Sequence, residues 1–150
     1  MIYLHSSARA ADVNGRQLKE KTTMLLQAVG EPDAGLSILL VDDEEIRRLN
    51  REHRGKDKAT DVLSFALAPA AGGSRDGPER LLGDVVISVE SARRQAADYD
   101  APLQNELYRL LIHGVLHVLG YDHEKPDERK AMIAQERRLA ETIGMPWPYE

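Results

Sequence analysis

Three of the five histidines in this chain fall within eleven residues, in the string His113-Gly-Val-Leu-His117-Val-Leu-Gly-Tyr-Asp-His123. His113 and His117 are four apart, so a helix stacks them on one face, where two imidazoles can converge on one metal ion. A third ligand could not continue along that face, because a helix rising about 1.5 Å per residue would carry His123 about 9 Å away. The chain must turn back, and Gly120 is placed to take the left-handed conformation that ends a helix and reverses it. Such a pair can also be no more than the polar edge of an amphipathic helix. Here, however, Leu107, Leu111, Gly114 and Val118 form the core stripe, and the histidines share a flank with Leu110 and Leu116. Unpaired imidazoles are costly to bury there, and a metal removes that cost.

Three neutral nitrogens and no carboxylate leave the ion its full positive charge and at least one open coordination position. That is the composition of a catalytic zinc site, which activates water at neutral pH. Nickel or copper would also accept three imidazoles, and one zinc ion is the expectation. The chain has no cysteine, which excludes disulfides, thiolate nucleophiles, iron–sulfur clusters and every Cys-based zinc site. The histidines and glycine also match the H-E-x-x-H-x-x-G-x-x-H spacing of metzincin peptidases, but Gly114 stands where those enzymes carry their glutamate base. A peptidase is thereby weakened. The glycine is expected to open space beside the ion for a bulkier anionic group such as a phosphodiester.

The elements that must position these residues are legible from hydrophobic patterning. Ile2 to His5, Leu36 to Val41, Asp61 to Leu67 and Leu81 to Val89 read as strands. Helices are expected at about residues 14–29, 43–54, 89–99, 103–119 and 126–143, with Asp42 or Asp43 capping the second and Pro126 opening the last. The second should turn Ile46, Leu49, Asn50 and His53 to one side, and the last should bury Ile133, Leu139 and Ile143. Residues 68–80, with five Gly and Pro, read as a long connection between the last two strands. Those two strands are expected to be antiparallel, whereas the second and third, separated by a helix, can be parallel. The result is an α+β fold: a small mixed four-stranded sheet covered by five helices, with the metal site on a helix and the turn after it.

With 150 residues, 42% hydrophobic and 30% charged, the chain has the size and composition of one globular domain spanning residues 1–150. A net charge of −5, from 20 basic against 25 acidic residues, does not announce a nucleic-acid partner, so any such surface must be local. No apolar stretch is long enough for a membrane span or a signal peptide, which makes a cytoplasmic protein the default and a membrane partner unexpected.

The string HGVLHVLGYDH, together with RGKDKATDVLSF at 54–65 and LLGDVVIS at 81–88, resembles the YbeY family of bacterial rRNA-maturation endoribonucleases. The resemblance implies that His113, His117 and His123 hold a metal, usually taken as zinc, and that Arg54 is the family's functionally important arginine. It further implies cleavage of single-stranded RNA, processing of the 16S rRNA precursor at its 3′ end, the small ribosomal subunit as partner, and a role in ribosome quality control. A zinc peptidase and a ribosome-assembly factor whose metal is only structural are the alternatives.

Beside that resemblance, Arg47, Arg48, Arg51, Arg54, Lys56 and Lys58 place six positive charges in twelve residues. Arg47, Arg51 and Arg54 lie within about 60° on a helical wheel. By itself the stripe is a solvated helix face; next to a metal site, Arg47, Arg51, Lys56 and Lys58 are candidates for the RNA backbone and Arg54 for charge on the phosphoryl oxygens. Asp61 and Asp122 could accept a proton from a ligand histidine or from water, or simply fix a turn and cap a helix. Thr60 and Ser64 read as strand-edge hydrogen bonders, His5 and His53 as structural, Trp147 and Tyr149 as a packed tail. Glu106, two turns before His113, is too far along the helix to be a ligand.

Overall fold

The computed structural model describes residues 1–67, 80–122 and 124–147. Its elements follow the expected order: β1 (Ile2–Ser6), α1 (Gly15–Ala28), β2 (Ala34–Val41), α2 (Asp43–Arg54), β3 (Val62–Ala66), β4 (Arg80–Ser88), α3 (Val89–Asp98), α4 (Leu103–Val118) and α5 (Pro126–Thr142). Asp42 caps α2 through the Glu45 amide, and Asn14 and Ser88 do the same for α1 and α3, each satisfying an amide that the first helical turn leaves without a partner.

The four strands form one mixed sheet in the order β1-β2-β4-β3. β1 pairs with β2 and β2 with β4 in parallel, while β3 runs antiparallel to β4. The expected hairpin relation of β3 and β4 holds, but β2 and β3 are neither neighbours nor parallel. β4 is inserted between them, so that both of the longer strands, β2 and β4, have a partner on each edge. Of the connection expected at 68–80, only Arg80 falls within the described residues, and it opens β4.

Strand pleating divides the side chains between two faces. Leu36, Ile38 and Leu40 of β2 join Val85 and Ile87 of β4 under α1, α3, α4 and α5, whereas Val41, Leu63 and Val86 meet Ile46 of α2 on the other face. α4 is apolar nearly all round: Leu107, Leu110, Leu111, Ile112, Val115 and Leu116 are all buried. Such a helix belongs in the interior, and α4 packs against β3, β4, α3 and α5. With each large apolar side chain worth about 1.5–3 kcal/mol when buried, α4 is the best-anchored element on which to mount a site.

Two expected faces are corrected. At the end of the chain Leu139 and Ile143 are buried as expected, but Ile133 is 48% exposed and Met132, one residue before it, takes its place in the core beneath α5. His53 is exposed on α2, its ring edge-on to Phe65 at 5.3 Å, so it covers a strand and does not enter the core. Among the described residues no helix is long and apolar enough to cross a membrane.

Candidate active site

α4 presents His113 and His117 at a cavity of about 410 Å³ whose other walls are the end of α2, residues 56–61 and β3. Asn50, Arg54, Lys56, Lys58, Thr60, Asp61, Ser64 and Gly114 contribute to the same lining. The two imidazoles are tilted edge-to-face, with their Nε2 atoms 3.0 Å apart. Nδ1 of His113 lies 3.2 Å from Oε1 of Glu136 on α5. Donation of the Nδ1 proton to Glu136 leaves the Nε2 lone pair of His113 facing its partner nitrogen, so a proton or a cation must lie between them. Two nitrogens bound to one tetrahedral zinc at about 2.0–2.1 Å lie about 3.3 Å apart, close to the observed spacing, and the donor set fits a metal.

After Val118 the chain leaves the helix as the spacing predicts. Gly120 has φ of 101°, and its amide and that of Tyr121 close back onto the carbonyls of His117 and Leu116, a reversal open to glycine because it lacks a Cβ. His123 lies outside the described residues, as does Tyr149; Trp147 packs against the core as a tail. The last helix begins behind Lys125, so Asp122 does not cap it.

Gly114 overturns one expectation. It does not open space beside the histidines: a Cβ on it would sit 2.6 Å from Cγ1 of Val85 on β4. The glycine lets α4 approach the sheet closely, and it excludes the glutamate of the peptidase pattern by packing. The cavity's room comes from the far side, where α2 ends and residues 55–61 cross to β3.

The six basic residues divide between two places. Arg54 lines the histidine cavity, with Nη2 donating to the Ser64 carbonyl at 2.7 Å and its guanidinium carbon 5.4 Å from the centre of the Phe65 ring. Lys56 and Lys58 line it too, held by buried Asn50, whose side-chain amide donates to the Lys58 carbonyl at 2.9 Å and whose backbone carbonyl accepts from the Lys56 amide. Arg47, Arg48 and Arg51 line a different cavity near the start of α2. There Arg47 is paired with Asp57 at 2.9 Å, Arg51 approaches the same carboxylate at 3.7 Å, and Arg48 is held by Glu45 and Glu52. The hydrogen bond from Arg47 holds the Asp57 carboxyl below the usual carboxylate range, with the charges of both arginines adding to it.

Asp61 is fixed at the mouth of β3. Its Oδ1 accepts from the Val62 amide at 2.8 Å and from Thr60, and its Oδ2 accepts from Nε2 of Gln95 on α3 at 3.2 Å. Oε1 of Gln95 in turn accepts from Arg109 at 3.1 Å, and Arg109 is paired with fully buried Glu106. Glu106, which the spacing leaves too far from His113 to be a ligand, anchors a polar chain ending at the cavity. No spacing rule pointed to Glu136, Gln95 or Arg109, because each reaches the site across packed elements. Asn50 did carry a signal, as a polar residue on the apolar face of α2.

Comparison with known proteins identifies the family. The family model described as endoribonuclease YbeY matches residues 4–144. An endoribonuclease YbeY of Anaeromyxobacter sp. (strain Fw109-5) is 48% identical over 141 residues, covering 94% of this chain and 69% of the relative; one of Lysinibacillus sphaericus is 41% identical over 119 residues, covering 77% and 76%. A Thermotoga maritima protein solved in solution superposes with a TM-score of 0.64 at 27% identity, over 95% of this chain and 89% of that one. With a match that runs from the first strand to the end of the last helix and takes in the histidine helix, the basic segment and β4, the chain belongs to the YbeY family of endoribonucleases.

Proposed function

We propose that this protein is a zinc-dependent, single-strand-specific endoribonuclease that processes the 3′ end of precursor 16S rRNA in the cytoplasm. The small ribosomal subunit is its setting, and ribosome quality control its wider role. The observation that carries the reading is the convergence of two imidazole Nε2 atoms, 3.0 Å apart, in one cavity with Arg54, Lys56 and Lys58. His113, His117 and, by spacing, His123 would hold the ion. When bound there, zinc supplies the Lewis acidity that makes water a nucleophile at neutral pH.

The chain's own residues do the rest. Glu136 orients the His113 ring and fixes its tautomer. Arg54, steadied by Ser64 and Phe65, offers a planar set of donors to phosphoryl oxygens as charge builds on them. Lys56 and Lys58 bind neighbouring phosphates, a contribution that weakens with salt. The close contact of Gly114 with Val85 leaves no place for a peptidase glutamate, which favours phosphodiester over peptide chemistry.

The test is cleavage of a precursor 16S rRNA 3′ end by wild-type protein and His117→Ala, purified in parallel, with metal content measured on both. Joint loss of metal and cleavage in a folded variant is expected. Equal cleavage by both proteins would refute the reading.

A further inference from the structure

A metal hydrolase that lacks the usual glutamate must pass the proton of its attacking water elsewhere, and among the described residues the cavity holds one carboxylate built into its wall, Asp61. We propose that Glu106, Arg109 and Gln95 form a buried relay that holds the Asp61 carboxylate as the acceptor of that proton. The inference rests on the nuclease reading above.

The relay has a fixed polarity. Gln95 takes a hydrogen bond from Arg109 on its oxygen and gives one to Asp61 from its nitrogen, so its amide is oriented by the cation behind it. Only an acceptor oxygen satisfies that nitrogen, which keeps Asp61 Oδ2 as an acceptor. A carboxylate oxygen can accept two hydrogen bonds, and Gln95 supplies one of them. The Val62 amide and Thr60 occupy Oδ1, so Oδ2 is the oxygen disposed to take a proton. As the water oxygen forms its bond to phosphorus, Oδ2 receives one water proton. The bond from phosphorus to the leaving ribose oxygen breaks, that oxygen takes a proton from solvent, and Asp61 returns its own proton to solvent.

The far end of the relay is costly, which argues for a purpose. Glu106 has no exposed surface, and its Oε2 has no hydrogen-bond partner among the described residues. Arg109 beside it is 22% exposed. Burying an ion pair usually costs as much as the attraction returns, so hydrophobic replacements are often as stable. Stability alone therefore gives no reason for the pair, and what it visibly does is fix Gln95. Among the described residues, the charged and titratable groups around Asp61 in the cavity are Arg54, Lys56 and Lys58 from the α2 side and His113 and His117 from α4.

The experiment uses metal-loaded full-length protein and a single-stranded RNA, reading kcat, KM, metal content, melting and the pH profile of kcat. Asp61→Asn is expected to lower kcat about 10²–10⁴-fold, the usual share of a general base, with KM and metal content unchanged. Gln95→Leu is expected to lower kcat roughly ten- to a hundredfold through misplacement of Asp61. Gln95→Glu still accepts from Arg109 but turns a negative oxygen toward Asp61, so the acid limb of the profile moves to higher pH if Asp61 is the acceptor; a limb that stays in place means that the proton goes elsewhere. The double variant Glu106→Leu with Arg109→Met should melt near the wild-type temperature yet match the kcat loss of Gln95→Leu. Wild-type kcat in Asp61→Asn, or loss of its metal, overturns the inference. Wild-type kcat and an unmoved profile in the Gln95 variants overturn the relay. Failure of the wild-type protein itself to cleave RNA would instead strike the nuclease reading.

Discussion

The basic residues of α2 and of the segment after it fall in two groups with different surroundings. At the start of α2, Asp43 accepts from Ser88, Ser91 and Arg94, its backbone amide donates to Glu90, and Arg47 and Arg48 are matched by Asp57, Glu45 and Glu52. At its end, Arg54 is held by a carbonyl and an aromatic face, and Lys56 and Lys58 follow along the histidine cavity. A basic residue whose counter-charge is supplied within the fold is architecture; one held by neutral groups keeps its field for a ligand. Sequence density of lysine and arginine does not distinguish the two.

The contrast can be broken most decisively at the cavity. His117→Ala should lower cleavage roughly 10³-fold or more with loss of metal, since the ion contributes several kcal/mol to the transition state; retained cleavage would leave the end of α2 with no special role. Arg54→Ala should lower kcat about 10²–10³-fold, as removal of a transition-state donor does elsewhere, while RNA still binds in a gel-shift assay. Glu136→Gln should weaken metal affinity about 10–100-fold, measured by competition with a chelator.

Two smaller effects sharpen the comparison. Lys56→Ala with Lys58→Ala should flatten the dependence of log affinity on log salt by about 1.4, or about 0.7 per single-strand phosphate contact. Arg47→Ala with Arg51→Ala should leave that slope unchanged. At the start of α2, burial pushes the Asp43 carboxyl up, but hydrogen bonds from Ser88, Ser91 and Arg94 outweigh it and hold it below its ordinary value. A carboxyl lowered in the folded state adds stability above the unfolded pKa of about 3.9, and that stability is lost as pH falls through the lowered value. Asp43→Asn should therefore cost about 1 kcal/mol at pH 7 by denaturant titration, and the difference should close in strong acid.

The succession of elements was legible because capping residues and periodicity are local: Asp42, Pro102, Gly120 and Pro126 sit where helices begin or end. Strand order was not, because nothing in Leu81 to Val89 says that it displaces Asp61 to Leu67 from the side of β2. The histidine pair was readable from its spacing. Its supporting carboxylate was not, since Glu136 is 23 residues away and meets His113 only because α5 folds back along α4. Gly114 was read as a gap because a glycine in a motif says that a side chain is missing, not what stands in its place.

The contact between position 114 and Val85 also bears on descent. No single substitution at 114 converts this cavity to the glutamate-assisted form, because the first added carbon already meets the sheet. A lineage would first have to trim Val85 and accept a void against α4, about 0.5–1.5 kcal/mol for each methyl lost from a core, before the new carboxylate returned any advantage. The exchange of glycine for glutamate therefore needs at least two coupled changes, one on a helix and one on a strand.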